Sequence, residues 1–81
     1  MNDRTKYICT LNGDFVFFSA VMEHSMFKDF RPISAGYCTF GNNRVTCYGD
    51  SHSLKLKSSP LDSESATLQV FGLDAVLTLR I

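Results

Sequence analysis

The stretch Gly36-Tyr37-Cys38-Thr39-Phe40-Gly41-Asn42-Asn43-Arg44-Val45-Thr46-Cys47-Tyr48, continuing as Gly49-Asp50-Ser51-His52-Ser53-Leu54-Lys55-Leu56, decides the fold. Two runs of β-prone residues flank Asn42-Asn43, and asparagine tolerates the positive φ that both central positions of a type I′ turn require. A two-residue turn here sets Phe40 opposite Val45 and Cys38 opposite Cys47 on one face, and Thr39 opposite Thr46 and Tyr37 opposite Tyr48 on the other. A slip of one residue would scramble both faces, so the pattern selects this register. The face carrying Phe40, Val45 and the two cysteines is the one expected to point inward.

Upstream, the run from Lys6 to Ser19 reads as two strands joined at Asn12-Gly13, with either a two-residue turn or a three-residue loop that uses Asp14. Tyr7, Cys9, Val16 and Phe18 are assigned to one face and Ile8, Phe15 and Phe17 to the other. Apolar residues on both faces place this hairpin in the centre of a sheet covered on both sides. Val21 to Phe30 favours helix, with Met22, Met26, Phe27 and Phe30 inward, unless Ser25 caps a shorter helix from Met26; both versions keep His24 near the surface. Pro32 ends the segment and is expected to hold Arg31 extended. Ser34-Ala35-Gly36 brings small residues to a point where a bulge or a close backbone crossing needs them.

Beyond the Asn42-Asn43 hairpin, Leu54 to Lys57 alternates as a half-buried edge strand, with lysines that discourage further pairing. Ser59, Pro60 and Asp62 carry the marks of a helix start: N-cap, first helical position and a capping-box spacing. Leu61, Leu68 and Phe71 are the expected inward stripe, with Gly72 as a left-handed cap and Leu73 folded back on Leu68. Ala75 to Ile81 alternates like a final strand, with Ala75, Leu77, Leu79 and Ile81 inward and Val76, Thr78 and Arg80 outward. The order is ββαββαβ, a single small α+β domain over residues 1–81 with a mainly antiparallel sheet, two helices and a disordered leader over 1–5.

Seven Phe and three Tyr supply apolar area, and eight basic against eight acidic residues leave a formal net charge of zero. That balance argues against nucleic acid, whose partners usually carry a basic excess, and does nothing to keep copies of the chain apart. The apolar runs are too short for a signal peptide or a membrane span, which points to a cytoplasmic protein with no membrane partner. Cys9, Cys38 and Cys47 show no Cys-x-x-Cys spacing, so buried reduced thiols are expected and no metal or cofactor.

Two constellations could carry chemistry. His24 beside Glu23 could serve as acid, base or nucleophile, and it could equally be a plain surface histidine. Gly49, Asp50, Ser51, His52 and Ser53 offer backbone amides, side-chain oxygens and an imidazole able to hold an anion, or form a solvated turn. Tyr37 and Tyr48 could stack on a ligand or a partner, or simply stabilise the sheet.

His24, Arg31-Pro32-Ile33-Ser34-Ala35-Gly36-Tyr37, Cys47-Tyr48-Gly49-Asp50-Ser51-His52-Ser53-Leu54 and Ser58-Ser59-Pro60-Leu61-Asp62 together resemble a family of small uncharacterised bacterial proteins. The resemblance covers about two-thirds of the chain, but that family implies no activity. In order of elements the chain also resembles the Janus/ocnus phosphohistidine phosphatases, with His24 before a helix and Tyr48-Gly49-Asp50-Ser51 closing a hairpin. That likeness implies His24 as catalytic base and the loop 49–53 as a phosphate cradle. The chain departs from those enzymes in its Asn12-Gly13 hairpin, where they insert a helix, and in acidic Asp50. The expected function is therefore a non-catalytic domain that binds a protein partner or pairs with itself, through a sheet edge or the Tyr37/Tyr48 face. The alternative is a phosphate-handling hydrolase that uses His24 and the Gly49–Ser53 loop.

Overall fold

In the computed structural model, which describes residues 4–79, Asn42 and Asn43 both take positive φ, 53° and 57°. They join β3 (Pro32–Gly41) to β4 (Arg44–Tyr48) in the register that the sequence selects, with Cys38 facing Cys47 and Tyr37 facing Tyr48. Val45 and Cys38 are buried on the face expected to point inward, whereas Phe40, near the turn, is exposed and Cys47 is half-buried.

The first hairpin, β1 (Thr5–Thr10) and β2 (Phe15–Ser19), is closed by the three-residue loop Leu11–Gly13, with the Thr10 N–H donating to the Asp14 carbonyl. Ile8 therefore faces Val16 and Tyr7 faces Phe17. The extra loop residue moves β2 by one position relative to a two-residue turn, so the face assignments between the strands are exchanged. Ile8, Val16 and Phe18 share one face, while Tyr7, Cys9, Phe15 and Phe17 share the other. The sheet runs β2-β1-β3-β4, all antiparallel; β1 is central as expected, but β2 lies at an edge rather than in the centre. Thr5 opens β1, so the disordered leader expected over 1–5 does not extend to it; residues 1–3 lie outside the described residues.

Both faces of the sheet are covered. Over one lies α1 (Asp62–Phe71), with Ala66 buried among Tyr7, Cys9, Phe15, Cys38 and Val45. Over the other lie Met22 and Phe27 from the segment after β2, and Leu54 and Leu56 from a small ribbon, packed on Ile8, Phe18 and Ala35. The segment His24–Phe30 is 3₁₀ rather than α-helical, broken at Phe27, and it leaves Met26 and Phe30 exposed. Arg31 is left-handed (φ 56°, ψ 61°) rather than extended, because the chain must reverse there to enter β3. The expected edge strand at Leu54–Lys57 is reduced to β6 (Leu56–Lys57), which pairs only with β5 (Asp50–Ser51), in a ribbon packed on the main sheet but outside its hydrogen-bond ladder.

The C-terminal strand expected over Ala75–Ile81 is not formed in the described part. Leu73–Leu79 is a second helix, α2, with Val76 buried and Leu77 exposed, opposite to the alternation; Arg80 and Ile81 lie outside the described residues. Gly72 has positive φ (93°) but not the left-handed cap conformation, and Leu73 starts α2 instead of folding back on Leu68. The molecule is a single small α+β domain, with a four-stranded antiparallel sheet, a two-stranded ribbon and two α-helices.

Candidate functional site

Of the expected site residues, His24 departs furthest from its reading. It is 3 % exposed, not at the surface, and its Nε2–H donates to the Gly36 carbonyl at 2.9 Å. Phe18 and Tyr37 meet its ring edge-on, with centroids 5.4 and 6.1 Å away. Burial first, and the nearby Lys6 charge after it, hold its pKa below the ordinary 6.5, which favours a neutral imidazole. With Nε2 committed to a backbone carbonyl and the ring enclosed, His24 acts as a pin between the 3₁₀ segment and β3.

The Gly49–Ser53 loop closes on itself. Ser51 is buried, and its Oγ accepts from Leu54 N–H at 3.3 Å and lies 3.4 Å from Ser53 Oγ. Asp50 pairs with Lys57 across the ribbon, and its carboxylate is 3.9 Å from Nε2 of the exposed His52. Gly49 turns the chain at φ 78°, and its carbonyl accepts from Ser58 N–H. The loop and His24 meet the sheet at one place, Gly36, where an added Cβ would lie 2.4 Å from the Tyr48 carbonyl oxygen and 3.3 Å from Gly49. No hydrogen bond or ion pair joins His24 to the loop among the described residues.

Cys9, Cys38 and Cys47 are free thiols, Cys38 and Cys47 facing each other across the hairpin. Burial pushes Cys38 up to about 11 and Cys47 to about 12, away from thiolate reactivity. Among the described residues no group of three or more His, Cys, Asp or Glu could hold a metal, and no helix is long and apolar enough to cross a membrane. An open depression of about 370 Å³ beside the start of α1 is lined by Arg44, Thr46, Pro60, Ser63 and Glu64. The Ser63 hydroxyl there is engaged with the Cys47 backbone.

What the structure adds is a set of side chains on α1 that close the sheet edges. In β4 the N–H groups of Val45 and Cys47 point away from β3, and they donate to Thr67 Oγ1 (2.9 Å) and Ser63 Oγ (2.8 Å). Four residues of helix rise about 6 Å and two of strand about 6.7 Å, so an i, i+4 hydroxyl pair matches alternate edge residues. At the other edge Gln69 Oε1 accepts from Phe15 N–H at 2.8 Å and its Nε2 donates to the Phe15 carbonyl at 2.9 Å, as a neighbouring strand would. Asp62 ties the helix start to the sheet, accepting from the Tyr7 hydroxyl and from Ser59 N–H (2.9 Å); α1 begins at Asp62 with Leu61 as its N-cap, two residues later than the expected start with Ser59 as N-cap and Pro60 as first helical residue.

This inward choice turns the expected stripe outward. Leu61 is 70 % and Leu68 49 % exposed, and Phe71 is exposed on the same side of α1. Leu73 (61 %) and Leu77 of α2 are exposed as well, and so is Val70 at the end of the sheet-facing side of α1. The spacing that groups Leu61, Leu68 and Phe71 was legible, but which face is buried follows from Asp62, Ser63, Ala66 and Thr67. Their small and polar character at i, i+4 spacing was the available signal.

The Tyr37/Tyr48 pair forms as expected, with near-parallel rings whose centroids are 5.9 Å apart. Arg4 and Lys6, which sequence reasoning did not single out, converge on Tyr37. Their signal was the i, i+2 spacing that puts both on one strand face.

No family model, curated protein or solved structure matches this chain.

Proposed function

We propose that this chain is a non-catalytic interaction domain that associates with a second copy of itself through the outer face of α1 and α2. The observation that carries the reading is the exposure of Leu61, Leu68 and Phe71 on the outer side of α1, together with exposed Leu73 and Leu77 on α2, in a chain this small. Scattered apolar side chains are ordinary on a protein surface, whereas a contiguous set marks an interaction face. The formal net charge of zero offers no long-range repulsion between copies. The edge closures by Ser63, Thr67 and Gln69 support moving the contact from the sheet edges, where the sequence first suggested it, to the helices. Free buried thiols agree with a reducing, cytoplasmic setting for a bacterial protein of the family it resembles.

Sedimentation velocity over a concentration series tests this. The native chain is expected to shift from monomer to dimer, and Leu68→Glu is expected to keep the fold and remain monomeric. A native chain that stays monomeric at high concentration overturns the reading, and so does a Leu68→Glu variant that still dimerises.

The hydrolase alternative would use His24 as base and the 49–53 loop as cradle. The enclosed ring and the internally satisfied Ser51 weigh against it, and phosphatase turnover lost in His24→Ala but kept in His52→Ala would favour it instead.

A further inference from the structure

Lys6 is a buried cation with no ion-pair partner among the described residues. Its side chain is 9 % exposed, and Nζ donates to the Met22 carbonyl at 2.8 Å. No carboxylate pairs with it among the described residues. An ammonium group has three donors and Met22 accepts one, and a charge taken out of water is unfavourable unless paired. On β1 Lys6 faces Tyr37 of β3 and Phe18 of β2. Two residues earlier, on the same face, Arg4 holds its guanidinium carbon 4.5 Å above the Tyr37 ring, while Lys6 Nζ lies 6.0 Å from the same centroid. Arg4 is exposed, so the pair has a deep cation and one at the rim. Asp3, next to Arg4 in the chain, lies outside the described residues; among the described acids, Glu23, an exposed side chain beside His24, forms no ion pair with either cation.

We propose that Arg4, Lys6 and the Tyr37–Tyr48 pair form a binding site for a phosphate group. Stacking on Tyr37 uses the flat face of the guanidinium and leaves its in-plane N–H donors available, while Lys6 supplies a point charge behind them. Two cations side by side match a phosphate dianion better than a singly charged carboxylate. The exposed Tyr48 ring beside Tyr37 gives a flat organic group on that phosphate a surface to stack on. The site is one of binding alone, since the neighbouring His24 has its Nε2 engaged with the Gly36 carbonyl, and it is independent of self-association through the helices.

The experiment is a two-dimensional NMR titration of the labelled chain at fixed ionic strength, with inorganic phosphate and separately with phenyl phosphate. It follows the amides of residues 4–7, Tyr37 and Tyr48. Saturable shifts confined to these amides, with a roughly millimolar dissociation constant, are expected. Arg4→Gln is expected to weaken binding about tenfold, and Lys6→Met, which keeps the apolar stem, to abolish saturation. Tighter binding of phenyl phosphate identifies an aromatic monoester as the ligand type, and equal binding identifies the free ion. Absence of saturation by either ligand at about 20 mM overturns the proposal, as do shifts that persist unchanged in Arg4→Gln. The rim variant keeps the test decisive if Lys6→Met fails to fold.

Discussion

At the scale of single residues, Gly36 shows how one atom constrains the fold. Its carbonyl accepts the His24 bond on one side, and its missing Cβ leaves room for the Tyr48 carbonyl, which a methyl group would approach to 2.4 Å. Backbone on both sides leaves no flexible side chain to yield. Gly36→Ala is expected to cost about 1–3 kcal/mol, the range for forcing extra volume into a packed site. Gly41→Ala is the matched control, because nothing lies within 4 Å of its Cβ position and its φ is not positive. Urea unfolding of the two variants checks the contrast, and equal losses would mean that the close approach at Gly36 relaxes. The sequence made this residue legible as a place for close crossing, though not its partner, which comes from a strand twelve residues away. His24 was not legible: polarity placed it outside, but the Gly36 carbonyl gave it an inward partner.

At the scale of elements, α1 is held by what the sheet edges lack. A strand edge exposes unpaired N–H and C=O groups that must meet water, another strand or a side chain. Here Thr67 and Ser63 serve β4 and Gln69 serves β2, so polar satisfaction, with Ala66 allowing close approach, fixes the helix face that is buried. Thr67→Val keeps the shape and removes the acceptor for Val45 N–H. It is expected to cost about 1–3 kcal/mol, the desolvation penalty of an orphaned buried group. Hydrogen exchange should then quicken most at Val45, while Gln69→Ala should act at Phe15 and leave Val45 protected. Uniform loss of protection in both variants would show that the closures are not local. The same closures account for the missing last strand. The apolar alternation from Ala75 fits strand or helix when it is this short, and side chains of α1 already take edge positions at Phe15, Val45 and Cys47.

At the scale of the whole molecule, titration sets a window of maximal stability. His24 is held below 6.5 mainly by burial, so the unfolded ring takes a proton that the folded ring resists. Stability present above 6.5 is thus lost as pH falls below it. On the alkaline side burial raises Cys9, lifts Cys38 to about 11 and Cys47 to about 12, and with the Asp62 bond pushes Tyr7 above its usual range. Unfolded thiols lose protons near 9.0, so stability present below that pH is lost as pH rises through the folded values. Urea midpoints measured against pH should be flat between 6.5 and 9.0 and fall on both sides. A midpoint independent of pH at either end would remove the assigned groups from the balance.

The sequence by itself determined the elements whose signals are local. The Asn42-Asn43 turn with its register, the central place of β1 and the α+β class all follow from residue-level backbone preferences and period-two patterning. Only the tertiary structure decided the one-residue shift at Leu11–Gly13, the enclosed His24, the outward turn of Leu61, Leu68 and Phe71, and the helical form of Leu73–Leu79. Each of these depends on where a buried polar group finds its partner: a backbone carbonyl, a strand edge or a tyrosine hydroxyl brought from far along the chain. Apolar periodicity states that a face exists, and hydrogen-bond satisfaction between distant segments chooses which face goes in.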